Sequence, residues 1–310
     1  MQQYWQQSKV VLSLLLFLSI TGWAGGQDHW WHPYEQGTSH AEQKRWAAAI
    51  AAFQDAIKVR PDDQRSVPTT SSHVIDYFPH RELGIVYYYL GRYPEAIGEL
   101  ETSLRMAETA KAKFYLNKAR QAQLAQTQRD STPPRLVLYS PANGLVTKHR
   151  TITVMGHATD DTYVSAISIN GQAQFIEVAA PRVPFAQEVG LQEGLNIIDV
   201  NAVDLVGQQT HQRITVHVDR QGPLVSLESV ELLGNFSHRR ARVQGYLFDH
   251  SHVVRFVLAN REVPLRPERE WAFREEILLV AGMISIPFEV EDAAGNVTRG
   301  EIDLMSAKGG

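Results

Sequence analysis

The stretch that decides the fold of the second half of the chain is GLNIIDVNAVDLVG, residues 194–207. Apolar and polar residues alternate along it until an Asp-Leu-Val-Gly turn, a pattern typical of a half-buried β-strand that ends in a tight turn. The segment ISIPFEVEDAAGN, residues 284–296, repeats this pattern later in the chain. A repeat at this distance predicts two similar β domains in tandem.

Matches at an offset of 89 or 88 residues extend the repeat over most of the region after residue 134. The matched pairs include Pro134 with Pro223, Gly156 with Gly245, Asp160 with Asp249, Ile169 with Leu258, Asp204 with Asp292, and Gly207 with Gly295. These residues resemble bacterial immunoglobulin-like modules, which implies antiparallel β-sandwiches at 135–219 and 220–305. Because such modules are attached to many secreted and surface proteins, the resemblance indicates a fold rather than a function.

Residues 30–128 have a different composition, rich in Ala, Gln, Glu, Leu and Tyr, with apolar residues spaced by three and four. This spacing predicts amphipathic helices. A second internal repeat, at an offset of 47, has these matches: Gly37 with Gly84, Trp46 with Tyr93, Ala49 with Ala96, and Ile50 with Ile97. Together with Phe53, Ala56 and Pro61, they resemble the tetratricopeptide repeat, which implies an N-terminal α-solenoid.

Two segments interrupt this helical pattern. An insert at 65–77, rich in Thr and Ser, is predicted to be a polar loop between the two repeat units. Residues 129–134 are predicted to be a linker, because adjacent Pro133 and Pro134 cannot continue a helix. The predicted fold class is therefore multidomain: an α-solenoid followed by two tandem β-sandwiches.

The tetratricopeptide resemblance also implies a binding groove, lined by the first helix of each unit. The groove residues would be Trp31, Tyr34, Thr38, Glu42, Phe78, Arg81, Ile85, Tyr88 and Tyr89. Aromatic side chains and an arginine suit the capture of an extended or helical peptide. The alternative interpretation is that these aromatic residues pack against the insert or against the first sandwich.

Composition excludes several classes of protein. Of the 310 residues, 44% are hydrophobic and 21% are charged, which argues against a disordered tail and a polytopic membrane protein. A formal net charge of −4 makes nucleic acid an unfavourable partner. The chain has no cysteine, so disulfides and thiolate metal sites are excluded.

The first 24 residues resemble a secretory signal peptide. Lys9 precedes an apolar run at 10–20, and Gly22 and Ala24 are small residues suited to a cleavage site. The run is too short to span a bilayer as a typical helix. We expect a periplasmic or secreted protein that contacts the membrane only through a partner or an uncleaved signal.

No cofactor, metal or small-molecule substrate is predicted. Five aspartates at predicted turns could be calcium ligands, but the simpler role of turn capping is favoured: Asp160, Asp161, Asp204, Asp249 and Asp292. Two histidine pairs, His29 with His32 and His250 with His252, lack further ligands at a recognisable spacing. The sequence contains no recognisable catalytic motif, so we do not expect an enzyme.

The leading functional hypothesis is a non-catalytic adaptor of the bacterial cell envelope, whose helical groove binds a protein partner while the sandwiches act as a spacer. The alternative is a carbohydrate-binding or polysaccharide-assembly accessory protein. The scarcity of aromatic platforms disfavours this alternative, because Trp271 is the single tryptophan of the β region. A hydrolase with a scattered triad has no motif in its favour.

Overall fold

The chain folds into a helical region followed by two β domains. The computed structural model describes residues 29–70, 73–128, 130–234, 239–305 and 308–309. The predicted signal peptide therefore lies outside the described residues. None of the described helices is long and apolar enough to cross a membrane.

Five helices form the described N-terminal region. They are α1 (His32–Glu42), α2 (Trp46–Val59), α3 (Pro79–Tyr89), α4 (Tyr93–Met106) and α5 (Ala110–Thr127). Small residues allow the helices to approach closely, since a Cβ atom on Gly37 would lie 2.5 Å from the ring of Phe53. A Cβ atom on Gly84 would similarly lie 2.7 Å from the side chain of Leu100. Phe53 and Leu100 are fully buried in the helical core.

The insert between α2 and α3 is a β-hairpin, so the prediction of a polar loop is wrong. Its strands are β1 (Gln64–Thr70) and β2 (His73–Tyr77), paired antiparallel. Val67 and Tyr77 are buried against Ala56 of α2. The Tyr77 hydroxyl donates to the Ala56 carbonyl oxygen at 2.7 Å. These long-range contacts hold the hairpin on the helices, although most of its residues are polar.

The first sandwich is built around one long strand. Its strands are β3 (Arg135–Ser140), β4 (Leu145–Thr147), β5 (Thr151–Ile169), β6 (Gln172–Gln174), β7 (Ala180–Gly190), β8 (Gly194–Asp204) and β9 (Gln209–Val218). Residues 151–159 of β5 pair with β7, and residues 164–169 pair with β8. Apolar–polar alternation predicts two separate strands here, at 151–158 and 166–170. Instead β5 is continuous and changes its partner at an irregularity in register around residues 160–164, which we call its bend.

The second sandwich repeats this plan. Its strands are β10 (Leu224–Leu233), β11 (Arg240–Leu258), β12 (Arg261–Glu262), β13 (Glu268–Leu278), β14 (Ser285–Asp292), β15 (Val297–Asp303) and β16 (Lys308–Gly309). The long strand β11 pairs with β13 before its bend and with β14 after it. Each sandwich has its own buried apolar core. The prediction of immunoglobulin-like β-sandwiches is confirmed.

Candidate functional site

The predicted groove residues of the helical region differ in accessibility. Trp31, Phe78 and Ile85 are buried, at 9%, 1% and 7% exposure. Tyr34, Thr38, Arg81 and Tyr88 are half-buried, Glu42 is exposed, and Tyr89 is the most accessible aromatic residue of the set at 55%. The first three side chains are therefore covered by the protein itself in this conformation.

The β1–β2 hairpin covers the front part of this face. The ring of Tyr77 lies 4.9 Å from that of Tyr34, measured between centroids. The Arg81 guanidinium stacks on Phe78 at 4.0 Å and pairs with Glu82 at 2.7 Å. Burial raises the pKa of Tyr34 to about 12. This part of the face is thus occupied by internal packing, the alternative that the sequence left open.

A second part of the helical surface keeps several aromatic rings accessible. We call it the aromatic patch, and its members are Trp46, Tyr88, Tyr89, Tyr93, Phe114 and Tyr115. Trp46 stacks on Tyr89 with a centroid distance of 5.6 Å. The hydroxyl oxygens of Tyr89 and Tyr115 lie 2.9 Å apart, and this hydrogen bond, together with burial, raises the pKa of Tyr115 to about 12. Because stacking already orders these rings, their side chains would lose little further conformational entropy on binding a partner.

The second sandwich contains an open polar cleft of about 590 Å³. Its lining residues are Arg255, Val257, Asn260, Pro287, Phe288, Glu289, Arg299, Gly300 and Glu301. They lie on β11, β14 and β15 and in the turn after β11. We call this feature the polar cleft.

Ion pairs hold the side chains of the polar cleft in place. Glu289 accepts hydrogen bonds from Arg255 at 2.6 Å and from Arg299 at 2.7 Å. Hydrogen bonds from the two arginines lower the pKa of Glu289. Ser285 donates to Glu301 at 2.6 Å. Since Arg299 is 70% exposed, its guanidinium can also donate to a ligand in the cleft.

Aspartates form two groups at equivalent places in the fold. The first triad is Asp130, Asp160 and Asp204, and the second triad is Asp219, Asp249 and Asp292. In each triad the three carboxylates offer oxygen atoms that lie within 4.8 Å of one another. One residue comes from the segment before the sandwich, one from the bend of the long strand, and one from the end of β8 or β14.

The hydrogen bonds of the first triad leave carboxylate oxygens without a donor. Asp204 Oδ1 accepts from the backbone N–H groups of Val206, Gly207 and Gln208, at 2.6–2.9 Å. Asp204 Oδ2 and Asp160 Oδ2 are buried and have no hydrogen-bond partner among the described residues. Burial raises the pKa of Asp204. Turn capping, which the sequence predicts, thus uses one oxygen of Asp204 and leaves the other unpaired.

The second triad is more deeply buried. Asp219, Asp249 and Asp292 are 4%, 4% and 1% exposed. Asp292 accepts from the backbone and side chain of Asn296, at 2.7 and 2.8 Å, whereas Asp219 Oδ2 has no partner in the part of the chain that the structure describes. Burial, with added repulsion from Asp249 and Asp219, raises the pKa of Asp292.

Sequence reasoning missed Asp130 and Asp219. Both precede the first strand of their sandwich, and they are separated by the same offset of 89 residues that relates Asp160 to Asp249. Extending the repeat upstream of Pro134 finds them. Asp161, which the sequence groups with these residues, is exposed and lies outside the triads, where it accepts a hydrogen bond from Thr132.

Comparison with known protein families gives a match over the first sandwich. A family model described as glucodextranase, domain B, matches residues 134–220. The predicted identity as a tetratricopeptide-repeat protein is therefore wrong, because the family found is an all-β one and it covers a sandwich. Small and aromatic residues spaced by three and four establish that helices pack in pairs, a property that many helical folds share.

Individual relatives are distant. Bacillopeptidase F of Bacillus subtilis is 26% identical over 150 residues, which are 47% of this chain and 10% of that protein. The chain thus spans only a small part of the length of this curated relative.

Solved structures with a similar arrangement are also distant in sequence. The fibronectin(III)-like modules of Clostridium thermocellum CbhA are 17% identical and cover 56% of this chain and 95% of their own, with a TM-score of 0.33. The Bacteroides ovatus glucan-utilization protein SGBP-B, in complex with a mixed-linkage heptasaccharide, is 14% identical and covers 56% of this chain and 47% of its own, with a TM-score of 0.21. Both TM-scores are low, and neither likeness bears on function.

Proposed function

We propose that this protein is an exported, non-catalytic accessory protein that binds polysaccharide through its β-sandwiches. The observation that carries the proposal is the match of residues 134–220 to domain B of glucodextranase, an enzyme named for a polysaccharide substrate. The predicted signal peptide at 1–24 supports a location where polysaccharides occur, in the periplasm or outside the cell.

The surface that suits this function best is the polar cleft, which lies on the second sandwich, the repeat of the matched one. Sugar hydroxyls both donate and accept hydrogen bonds, and the cleft offers donors on Arg299 and Asn260 beside acceptors on Glu289 and Glu301. The ion pairs of Glu289 orient these groups before a ligand arrives, which lowers the cost of binding. Phe288 adds an apolar face for the C–H groups of a sugar ring.

Affinity electrophoresis of the full chain tests this function. Gels would contain dextran, mixed-linkage β-glucan or no polysaccharide. We expect at least one polysaccharide to retard the protein, and we expect Asn260→Ala combined with Arg299→Ala to remove most of the retardation. Arg240→Ala is the matched control, because Arg240 is an exposed arginine whose partner Glu276 lies outside the cleft. Equal retardation of the double variant and the Arg240→Ala control would refute the role of the cleft. No retardation in either of the two gels that contain polysaccharide would refute binding of these glucans.

A second candidate function is an adaptor that binds a protein partner in the cell envelope. The aromatic patch favours it, because Tyr89, which stacks on Trp46, and Phe114, which contacts the ring of Tyr115, are 55% and 56% exposed. Photo-crosslinking in intact cells from a probe at Phe114, compared with a probe at the exposed Glu42 of α1, tests this candidate. A specific product from Phe114 alone supports it, and identical patterns from both positions contradict it.

A further inference from the structure

We propose that each aspartate triad is a calcium site that joins a sandwich to the segment preceding it. The inference is independent of glycan binding. Each triad combines one residue from the preceding segment with two from the sandwich, and the sites recur at the same places in both repeats. A cation held by all three residues would therefore connect separate parts of the chain.

Unpaired buried oxygens are the observation that points to a ligand. Asp204 and Asp219 are 2% and 4% exposed, and Oδ2 of each lacks a hydrogen-bond partner among the described residues. A buried carboxylate oxygen without a donor or a counter-charge is costly. Capping of turns accounts for the Oδ1 atoms only, since Gln221 N donates to Asp219 Oδ1 at 3.0 Å and leaves Oδ2 unused.

The donor set selects the kind of cation. All three members of each triad offer carboxylate oxygen, and neither triad includes histidine. Such ligands suit hard cations rather than zinc or copper. The spacing of the oxygens, within 4.8 Å, is about twice a Ca²⁺–O bond, so one ion can contact all three residues. Ca²⁺ also tolerates irregular geometry and accepts water or carbonyl oxygen for its remaining positions, whereas Mg²⁺ requires a near-ideal octahedron.

Isothermal titration of the chelator-treated full chain with CaCl₂ tests the proposal. We expect two bound ions per chain and a rise of about 5 °C in the midpoint of thermal unfolding at saturating Ca²⁺. Asp204→Asn and Asp292→Asn should each remove one ion. Asp161→Asn is the matched control, because Asp161 is an exposed neighbour of the first triad and does not belong to it.

Several outcomes would overturn the proposal. One is the absence of Ca²⁺ binding at millimolar concentration. Another is that both triad variants bind as many Ca²⁺ ions as the unchanged protein. A third is that Asp161→Asn loses as many bound ions as a triad variant does. Tighter binding of Mg²⁺ than of Ca²⁺ would refute the choice of ion. Far-ultraviolet circular dichroism checks that each variant is folded, and Asp130→Asn and Asp219→Asn, which lie outside the sheets, replace any variant that is not.

Discussion

The two junctions of the chain are built differently, although each contains an aspartate triad. At the first junction α5 packs directly on the first sandwich: Leu124, Ala179 and Leu205 form a buried apolar cluster. Arg120 donates to the Ala179 carbonyl at 2.7 Å and stacks on Tyr163 at 4.4 Å. At the second junction, the contacts are polar. Asn296 donates to the carbonyl oxygens of Asp219 and Gln221, at 2.9 and 3.2 Å.

This difference implies that the two equivalent triads contribute unequally to the stability of their junctions. The buried apolar clusters of the described residues include none that spans the second junction. Apolar burial stabilises the first junction without a cation, whereas the second depends on polar groups around a more deeply buried triad. We therefore expect Ca²⁺ to affect the second junction more than the first.

The largest effect is expected at the two equivalent glycines, Gly156 and Gly245, which test whether the two sandwiches are packed in the same way. A Cβ atom on Gly156 would lie 2.2 Å from the Val137 carbonyl oxygen, and one on Gly245 would lie 2.3 Å from that of Ser226. Because backbone atoms cannot move aside, Gly156→Ala and Gly245→Ala should each lower the free energy of unfolding of their sandwich by about 3 kcal/mol. Differential scanning calorimetry measures this change. Gly190→Ala, where the added methyl group meets open space, is the control, and an equal effect there would contradict the prediction.

At the first junction, Arg120→Ala should weaken docking by about 2 kcal/mol, since it removes a charged hydrogen bond and a stacking contact. The backbone N–H of Ala179, which donates to Asn117 across the junction, should then exchange with solvent about 30-fold faster. Hydrogen–deuterium exchange measures the rate. Lys118→Ala on the exposed side of the same helix is the control, and unchanged exchange in Arg120→Ala would show that the apolar cluster alone holds the junction.

At the second junction, Asn296→Ala should destabilise the contact between the two sandwiches by about 1.5 kcal/mol. The side-chain amide of Asn296 connects Asp292 to the carbonyl oxygens of Asp219 and Gln221, between the sandwiches. Amide exchange in residues 219–222 reports the loosening, with and without Ca²⁺. Asn201→Ala, which removes one exposed bond of 3.4 Å in the first sandwich, is the control. If the two variants behave alike, the second junction does not depend on these polar contacts.

The smallest expected effect concerns pH and the helical region. Burial lowers the pKa of His80, but the hydrogen bond to Glu99 at 2.6 Å, the charges of Glu99 and Asp63, and the backbone of Pro61 together outweigh burial, so the pKa is raised. A raised pKa stabilises the folded state below the ordinary pKa of 6.5, and this contribution disappears as the pH rises through the raised value. Glu99→Gln should therefore lower the free energy of unfolding by about 1 kcal/mol at pH 6 and by less at pH 9. Urea unfolding at both pH values measures the difference, and a pH-independent difference would contradict the assignment.

Local periodicity is sufficient to predict the β domains. Alternation at 194–207 and its repeat at 284–296 depend on side chains that point to opposite faces of a strand, a property of the backbone itself. The same reasoning finds Asp204 and Asp292. Strand alternation misses Asp130 and Asp219, because they lie in irregular segments, and only the repeat offset of 89 residues relates them.

The helical region shows the limit of such reasoning. The spacing of Gly37 and Gly84 predicts close helix packing, and both glycines do face a core side chain. Tyr77 fills part of the expected groove by packing on Tyr34. The insert that contains Tyr77 is mostly polar in sequence, and this composition favours a loop. The burial of Tyr77 results from contacts with residues far earlier in the chain, such as Ala56, which local patterns do not encode.

By itself, the sequence determined the order of the helical and β regions and the duplication of the sandwiches, because these follow from the spacing of apolar residues and from turn chemistry. Only the tertiary structure decided which aromatic residues stay accessible, which junction packs directly, and which carboxylates converge. Those features depend on contacts between residues far apart in the chain. For the carboxylates, the places where β5 and β11 change partners put Asp160 and Asp249 in their triads.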